Sequence, residues 1–141
     1  MAVADLNLSS SDESERSLPE EHIKIADQIS IIRNEASRAI PDVGRIVSAV
    51  RELLNITKSH FQHEESVMLE NHFPGMLLHK RDHDYLIRGL SDFMASVVDE
   101  AVPLSPAIGD NLQSWLTYHI KRYDDAYLEF RSRDVRFRAT S

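Results

Sequence analysis

Residues 60–83 read HFQHEESVMLENHFPGMLLHKRDH and contain the end of one amphipathic segment, a break and the start of the next. The asparagine, proline and glycine of NHFPG, residues 71–75, are typical of a turn between two regular elements. The same stretch contains five of the seven histidines in the 141-residue chain. Composition alone does not account for that density, so the stretch indicates both two successive helices and a functional site.

Apolar residues recur three and four apart in four segments of the chain, which is the pattern of one face of an α-helix. No segment shows the two-residue alternation of a strand. We therefore predict an all-α fold, an up-down-up-down four-helix bundle with short connections. The predicted helices run over about 17–40, 42–71 and 75–100, and from Ser105 onward.

The ends of the chain differ in composition from the predicted bundle. Residues 1–16 are rich in serine and acidic side chains, so we predict a disordered tail. Ser17 is suited to cap the first helix, and Pro19 fits its first turn. The bundle is predicted over residues 17–133, and residues 134–141 are predicted to be a C-terminal tail or the start of a linker.

Bulk composition excludes several classes of function. The length predicts one domain, and the net charge of -7 argues against a nucleic-acid groove or an anionic membrane surface as partner. The chain has no cysteine, which excludes disulfides, thiolate metal sites and cysteine nucleophiles. The first thirty residues contain no apolar run, so we expect no secretory signal, no membrane span and a cytoplasmic location.

Six ionisable side chains fall on helix faces that should be buried. A buried polar group without a partner costs roughly 2–7 kcal/mol. Each one alone is compatible with a hydrogen-bonded core residue, but six on four different helices favour metal binding. They are His22, His60, Glu64, His79, His83 and His119.

The spacing of these residues supports a metal site. His60 and Glu64 are four apart, as are His79 and His83, so each pair projects from one helix face. Asp124 follows His119 by five residues, and five residues turn a helix by roughly 500°. Asp124 is therefore expected to reach the site from a neighbouring face, or else to be solvated.

Five imidazoles and two carboxylates are too many ligands for one ion. If Glu64 and Asp124 both bridge, with a shared oxo or hydroxo group, three histidines make one metal six-coordinate. Two histidines leave the other metal five-coordinate, with one open position. Imidazole and carboxylate suit iron, copper or zinc, and six-coordination beside an open position favours iron. No glutamate precedes a ligand histidine by three, which disfavours the carboxylate-rich di-iron class.

Four motifs resemble the hemerythrin family, and most closely its bacterial members. HIKIADQI resembles the first-helix histidine motif, and HFQHEE matches H-F-x-x-E-E. HKRDH matches H-x-x-x-H, and WLTYHIKRYD matches W-L-x-x-H-I-x-x-x-D. The resemblance covers about residues 18–130. The chain departs from the family in the lead to its first histidine, which reads LPEEH and follows no tryptophan.

The resemblance implies a non-haem di-iron centre with an oxo or hydroxo bridge. It assigns one iron to three histidines, the other iron to two, and the bridges to two carboxylates. It also implies reversible O2 binding at the open iron, with azide or other small anions binding in the diferric form. The implied ligands are His79, His83 and His119 for one iron, His22 and His60 for the other, and Glu64 and Asp124 as bridges.

Apolar residues beside the ligands are predicted to line a dry O2 pocket as well as to form ordinary core. They are Phe61, Trp115, Leu116 and Ile120. The remaining histidines, His63 and His72, are predicted to lie at the surface, and Lys80, Arg81 and Asp82 to form a solvated helix face.

Three functions are compatible with these residues. The first is an O2 carrier or store, and the second is an O2 or redox sensor with an output domain attached beyond Ser141. The third is a di-iron oxidase or peroxidase, which ranks last because an apolar pocket offers no evident acid or base. No catalytic residue is assigned.

Overall fold

The computed structural model describes the backbone of residues 10–101 and 103–140, and the side chains of residues 15–101 and 103–133. The regular elements in that part of the chain are all helices, and it contains no strand, which confirms the predicted all-α class. None of these helices is both long and apolar enough to cross a membrane. The elements are α1 (Ser10–Ala36), α2 (Val43–Glu70), α3 (Met76–Val98), α4 (Ala107–His119), a π-helical turn (Ile120–Asp124) and α5 (Asp125–Thr140).

The contacts of α1 show that its two neighbouring helices run antiparallel to it, as an up-down-up-down bundle requires. Residues near the end of α1 contact the start of α2, and residues near the start of α1 contact the end of α2, so the two helices are antiparallel. The contacts between α1 and the fourth helix follow the same order. α4, the π-helical turn and α5 form that fourth helix together. The pairs are Gln28 with Ala49, Glu21 with His60 and Glu15 with Asn71, and then Arg33 with Asp110, His22 with Asp124 and Glu15 with Arg131.

Two apolar clusters of unequal size occupy the bundle interior. The larger fills the end at which α1 stops and α2 begins, and contains buried isoleucine, valine and leucine from all four helices. The smaller, around Val67, Met68 and Tyr127, lies toward the opposite end. On α2, α3 and the fourth helix, the buried histidines and the carboxylates Glu64 and Asp124 fall between residues of the two clusters in sequence, so apolar side chains flank them on both sides.

Left-handed backbone ends both α2 and α3. His72 follows the Asn71 cap with a φ of 55°, and the Phe73 N–H donates to the Met68 carbonyl at 3.0 Å. Glu100 has the same φ of 55°, and the Ala101 N–H donates to the Ser96 carbonyl at 2.8 Å. Both bonds are those of a Schellman motif, which satisfies the last carbonyls of a helix. Both turns are therefore short enough to reverse the chain directly.

The first helix begins earlier than predicted. α1 starts at Ser10, so residues 10–16 are helical, Pro19 is inside the helix, and Ser17 is not its cap. The predicted disorder of residues 1–9 lies outside the described residues. Glu15 joins this added segment to two other helices, because its carboxylate accepts hydrogen bonds from Asn71 at 3.1 Å, from Arg131 at 2.8 Å and from the Tyr127 hydroxyl.

The fourth helix also departs from the prediction. It begins at Ala107, two residues after Ser105, with Pro106 as N-cap. More important is the π-helical turn, in which the Asp125 N–H donates to the Ile120 carbonyl five residues back. The extra residue turns the following chain back by about 100° relative to an α-helix. Asp124 consequently lies on the face of His119 and not on a neighbouring face, which corrects the sequence-based geometry.

Candidate metal centre

Seven side chains from all four helices converge between the two apolar clusters. They form two groups, and within each group the candidate ligand atoms lie within 4.8 Å of one another. Glu64 and Asp124 belong to both groups, and all of the seven except His22 are buried. The first group is Glu64, His79, His83, His119 and Asp124, and the second is His22, His60, Glu64 and Asp124.

Each oxygen of Glu64 faces a different group of histidines. Oε1 lies 2.7 Å from His79 Nε2 and 3.0 Å from His83 Nε2. Oε2 lies 3.3 Å from His60 Nε2 and 3.7 Å from His22 Nε2. A carboxylate that presents one oxygen to each group has the geometry of a bridge between two metal ions.

Asp124 divides its oxygens in the same way. Oδ1 lies 2.9 Å from His79 Nε2 and 3.2 Å from His119 Nε2, whereas Oδ2 lies 3.0 Å from His22 Nε2. The π-helical turn makes this possible, because it brings Asp124 and His119 to one face. His22 reaches the cluster although its lead sequence differs from the family pattern.

Several candidate ligand atoms of the cluster are buried without a hydrogen bond, and a cation could bind them. Nε2 of His22, Nε2 of His60 and both oxygens of Asp124 are buried and form no hydrogen bond within the described part of the chain. Buried polar atoms in this condition are costly. Imidazole nitrogen and carboxylate oxygen are ligands for iron and zinc alike, so the donor set fits two such ions.

The carboxylates of the cluster are held ionised. Burial favours their neutral forms, but the close imidazoles of His119, His22 and their neighbours outweigh it by favouring the charged form. The pKa of Glu64 is therefore well below its usual range, and that of Asp124 falls to about 2.

The imidazoles of His22, His79 and His119 show the opposite shift, a raised pKa. Burial lowers the affinity of these rings for protons, but the close carboxylates of Asp124 and Glu64 outweigh it and raise the pKa of His119 to about 10 and that of His22 to about 9. Without metal, the cluster therefore holds protons against its two carboxylates. Metal ions would replace those protons, because ligands bind as deprotonated imidazole and carboxylate.

Three acidic residues that sequence reasoning did not select contact the histidines from outside the cluster. Glu21 lies 2.8 Å from His60 Nδ1, Glu65 lies 2.8 Å from His83 Nδ1, and Asp82 lies 2.5 Å from His119 Nδ1. The interpretation of Asp82 as part of a solvated face was therefore wrong. Each acid is the immediate sequence neighbour of a candidate ligand, and that adjacency is the signal that could have identified them.

The two histidines outside the cluster differ in environment. His63 is half-buried, and its Nδ1 lies 2.7 Å from the second oxygen of Glu21, so it is not a free surface residue. His72 is exposed, as predicted, in the turn after α2.

The predicted pocket residues lie against the histidines or in the larger apolar cluster. Phe61 is buried and stacks on His83, with ring centroids 3.8 Å apart and planes 8° from parallel. Leu116 is buried in the larger apolar cluster, where Trp115 and Ile120 pack against it. These residues can keep water from the candidate metal ligands.

A surface cleft approaches the cluster between α2 and α3. Its volume is about 370 Å³, and it is lined by Phe61, His83 and Glu65 together with charged residues that include Lys58, Lys80 and Arg88. The contact between Glu65 and His83 therefore lies at the wall of this cleft.

Comparison with known proteins gives one family. The model of the Hemerythrin HHE cation binding domain matches residues 15–130. A myohemerythrin of Riftia pachyptila is 31% identical over 80 residues, which are 57% of this chain and 61% of that protein. A bacteriohemerythrin of Stenotrophomonas maltophilia is 27% identical over 107 residues, 76% of this chain and 66% of that protein.

A third relative extends the same pattern. A myohemerythrin of Sipunculus nudus is 30% identical over 78 residues, 55% of this chain and 59% of that protein. The chain thus spans about three fifths to two thirds of the length of these relatives. No solved structure matches the chain significantly.

Proposed function

Because the chain belongs to the hemerythrin family, we propose that it is a non-haem di-iron protein that binds O2 reversibly. The observation that supports the proposal is the division of Glu64 and Asp124, each of which offers one oxygen to each group of histidines. When bound, an iron pair with an oxo or hydroxo bridge supplies the electrons and the open position that O2 binding needs.

The two groups support one assignment of the ligands. His79, His83 and His119 hold one iron, and His22 and His60 hold the other, with Glu64 and Asp124 as bridges. The iron held by two histidines would have one protein donor fewer, so the open position is expected there. It would supply the binding position for O2 in the reduced protein and for azide or another small anion in the oxidised protein.

The chain's apolar side chains protect that position. Phe61, Trp115, Leu116 and Ile120 form the O2 pocket and exclude water from the cluster. They carry no acid or base that could protonate O2 and promote its cleavage. Carriage, storage or sensing of O2 is therefore favoured over oxidase or peroxidase turnover.

A sensory role is the second candidate, with an output domain attached to this one. One observation favours it: the helix that contains His119 and Asp124 continues without a break through α5 to Thr140. A change at the ligands would therefore act directly on one end of α5.

Iron content tests the di-iron proposal. Protein purified in air is expected to carry about two irons per chain, with the near-ultraviolet and visible charge-transfer bands of a bridged diferric pair. One ion per chain, or mainly zinc, would contradict the assignment.

Two ligand variants sharpen the test. Glu64→Ala removes a bridge from both irons, so the pair should be lost. His22→Ala removes one ligand from one iron, so a damaged site that still holds metal is expected. Full retention of two irons in Glu64→Ala would show that another residue bridges.

A further inference from the structure

We infer that Glu21, Glu65 and Asp82 are positioning residues that fix three ligand imidazoles and lower the reduction potential of the metal pair. The inference rests on the proposed di-iron function and adds residues that touch neither metal nor O2. It starts from the three contacts between these acids and the outward nitrogens of His60, His83 and His119. We call the three acids the outer carboxylates.

Each outer carboxylate contacts a histidine on the next helix of the bundle. Glu21 on α1 holds His60 on α2, Glu65 on α2 holds His83 on α3, and Asp82 on α3 holds His119 on α4. Each carboxylate is next in sequence to a candidate ligand on its own helix, namely His22, Glu64 or His83. Since successive residues of a helix point about 100° apart, a neighbour of an inward residue points toward the adjoining helix.

The contacts determine which nitrogen of each ring faces the metal. When Nδ1–H donates to a carboxylate, the Nε2 lone pair is left free. Nε2 is the atom that faces Glu64 in His60 and His83, and Asp124 in His119. The outer carboxylates therefore hold all three rings in the tautomer and orientation that ligation requires.

An imidazole that donates to a carboxylate is a more basic ligand. A more basic ligand stabilises ferric iron more than ferrous iron, so the reduction potential falls. This increase in ligand basicity does not extend to His79, because its Nδ1 is buried and forms no hydrogen bond within the described residues.

The geometry ranks the three residues. Asp82 forms the shortest contact, and its side chain is the least exposed of the three, at 14%. Glu65 is 18% exposed, and Glu21 is 25% exposed and divides its oxygens between His60 and His63. Solvent screens an exposed carboxylate more strongly, so the expected order of effect is Asp82, Glu65 and then Glu21.

The test compares Asp82→Asn, Glu65→Gln and Glu21→Gln with Asp84→Asn. Each variant removes one negative charge and keeps the side-chain shape. Asp84 is the matched control, because it is exposed on the same helix as Asp82 and pairs only with Lys80 among the ion pairs described. The first measurement is the affinity of metal-free protein for Co²⁺ against a competing chelator. The second is the midpoint potential of the iron-loaded protein, followed through its charge-transfer absorption.

Loss of a residue that orients a ligand typically weakens metal binding by 10- to 100-fold. We expect a loss of that size for Co²⁺ in Asp82→Asn, a smaller loss for Glu21→Gln, and none for Asp84→Asn. A tenfold loss of preference for ferric over ferrous iron raises the potential by about 59 mV. The potential should rise in the same order as the Co²⁺ affinity falls, and Asp82→Glu should restore part of both.

Several outcomes separate this inference from the proposed function. If wild-type protein binds two irons and O2 but Asp82→Asn changes neither Co²⁺ affinity nor potential, the outer carboxylates have no positioning role. Equal potential shifts in Asp82→Asn and Asp84→Asn would indicate a general charge effect and also overturn it. If wild-type protein takes up no iron pair, the proposed function fails, and the Co²⁺ series still decides whether these acids orient the histidines.

Discussion

Replacing Glu15 with glutamine should loosen the first turns of α1 without altering the metal cluster. The Glu15 carboxylate accepts hydrogen bonds from Asn71, Tyr127 and Arg131, and all three of these partners are buried. A neutral amide lacks the negative charge that pairs with the Arg131 guanidinium. Its NH₂ group would also face hydrogen-bond donors that the carboxylate oxygens accept from in the wild type.

The size of the effect follows from this geometry. Removal of one partner of a buried ion pair costs about 3–5 kcal/mol, and a hydrogen bond to a charged group contributes about 1.5–3 kcal/mol. The Glu15 side chain is 19% exposed, and that of Arg131 is 8% exposed, so solvent screens part of the interaction. We expect the free energy of unfolding to fall by about 2–3 kcal/mol, which lowers Tm by roughly 8–12 °C for a chain of this size.

Urea and thermal unfolding followed by circular dichroism measure the change. Glu20→Gln is the matched control, because Glu20 lies on the same helix and is exposed. Hydrogen exchange should quicken in the first turns of α1 in Glu15→Gln only. If Glu15→Gln and Glu20→Gln both change stability by less than about 0.5 kcal/mol, Glu15 does not hold α1 in place.

Two further predictions concern the cluster itself. Leu116→Asn should keep both irons but shorten the life of the O2 complex and speed azide binding, because a polar side chain replaces a buried apolar one. Stopped-flow spectroscopy measures the decay of the O2 complex, with Leu86→Ser as control. If the Leu116 variant decays no faster than the wild type, the pocket lies elsewhere. In metal-free protein, the lowered pKa of Asp124, about 2 against 3.8, stabilises the fold above pH 3.8 and is lost as pH falls through 2. The raised pKa of His119, about 10 against 6.5, stabilises it below pH 6.5 and is lost as pH rises through 10, so unfolding free energy measured across pH should be highest between these limits.

Much of the fold and cluster was predictable because the deciding residues lie on regular helix faces. The bounds of α2 and α3 agree with the predicted 42–71 and 75–100 to within two residues. His60 with Glu64, and His79 with His83, are separated by four residues, so an ordinary helix fixes their direction without knowledge of the rest of the chain.

The features that were missed depend on contacts between distant parts of the chain. The first turns of α1 contain Glu15, whose partners Asn71 and Arg131 come from outside that helix. Asp82 looks like one charge in a solvated run until α4 brings His119 beside it. Local sequence does not contain these partners, so local reasoning assigns the segments to disorder or to solvent.

The π-helical turn makes the fourth helix unequally tolerant of deletions and insertions. An ordinary α-helix with one residue fewer between His119 and Asp124 would turn 400°, which leaves the two side chains about 40° apart on one face. Deletion of an exposed residue such as Lys121 or Arg122 would thus convert the π turn to α-helix and keep the later residues Tyr127 and Arg131 in phase. One inserted residue would instead rotate them all by about 100°, so the length of this segment can shrink more readily than it can grow.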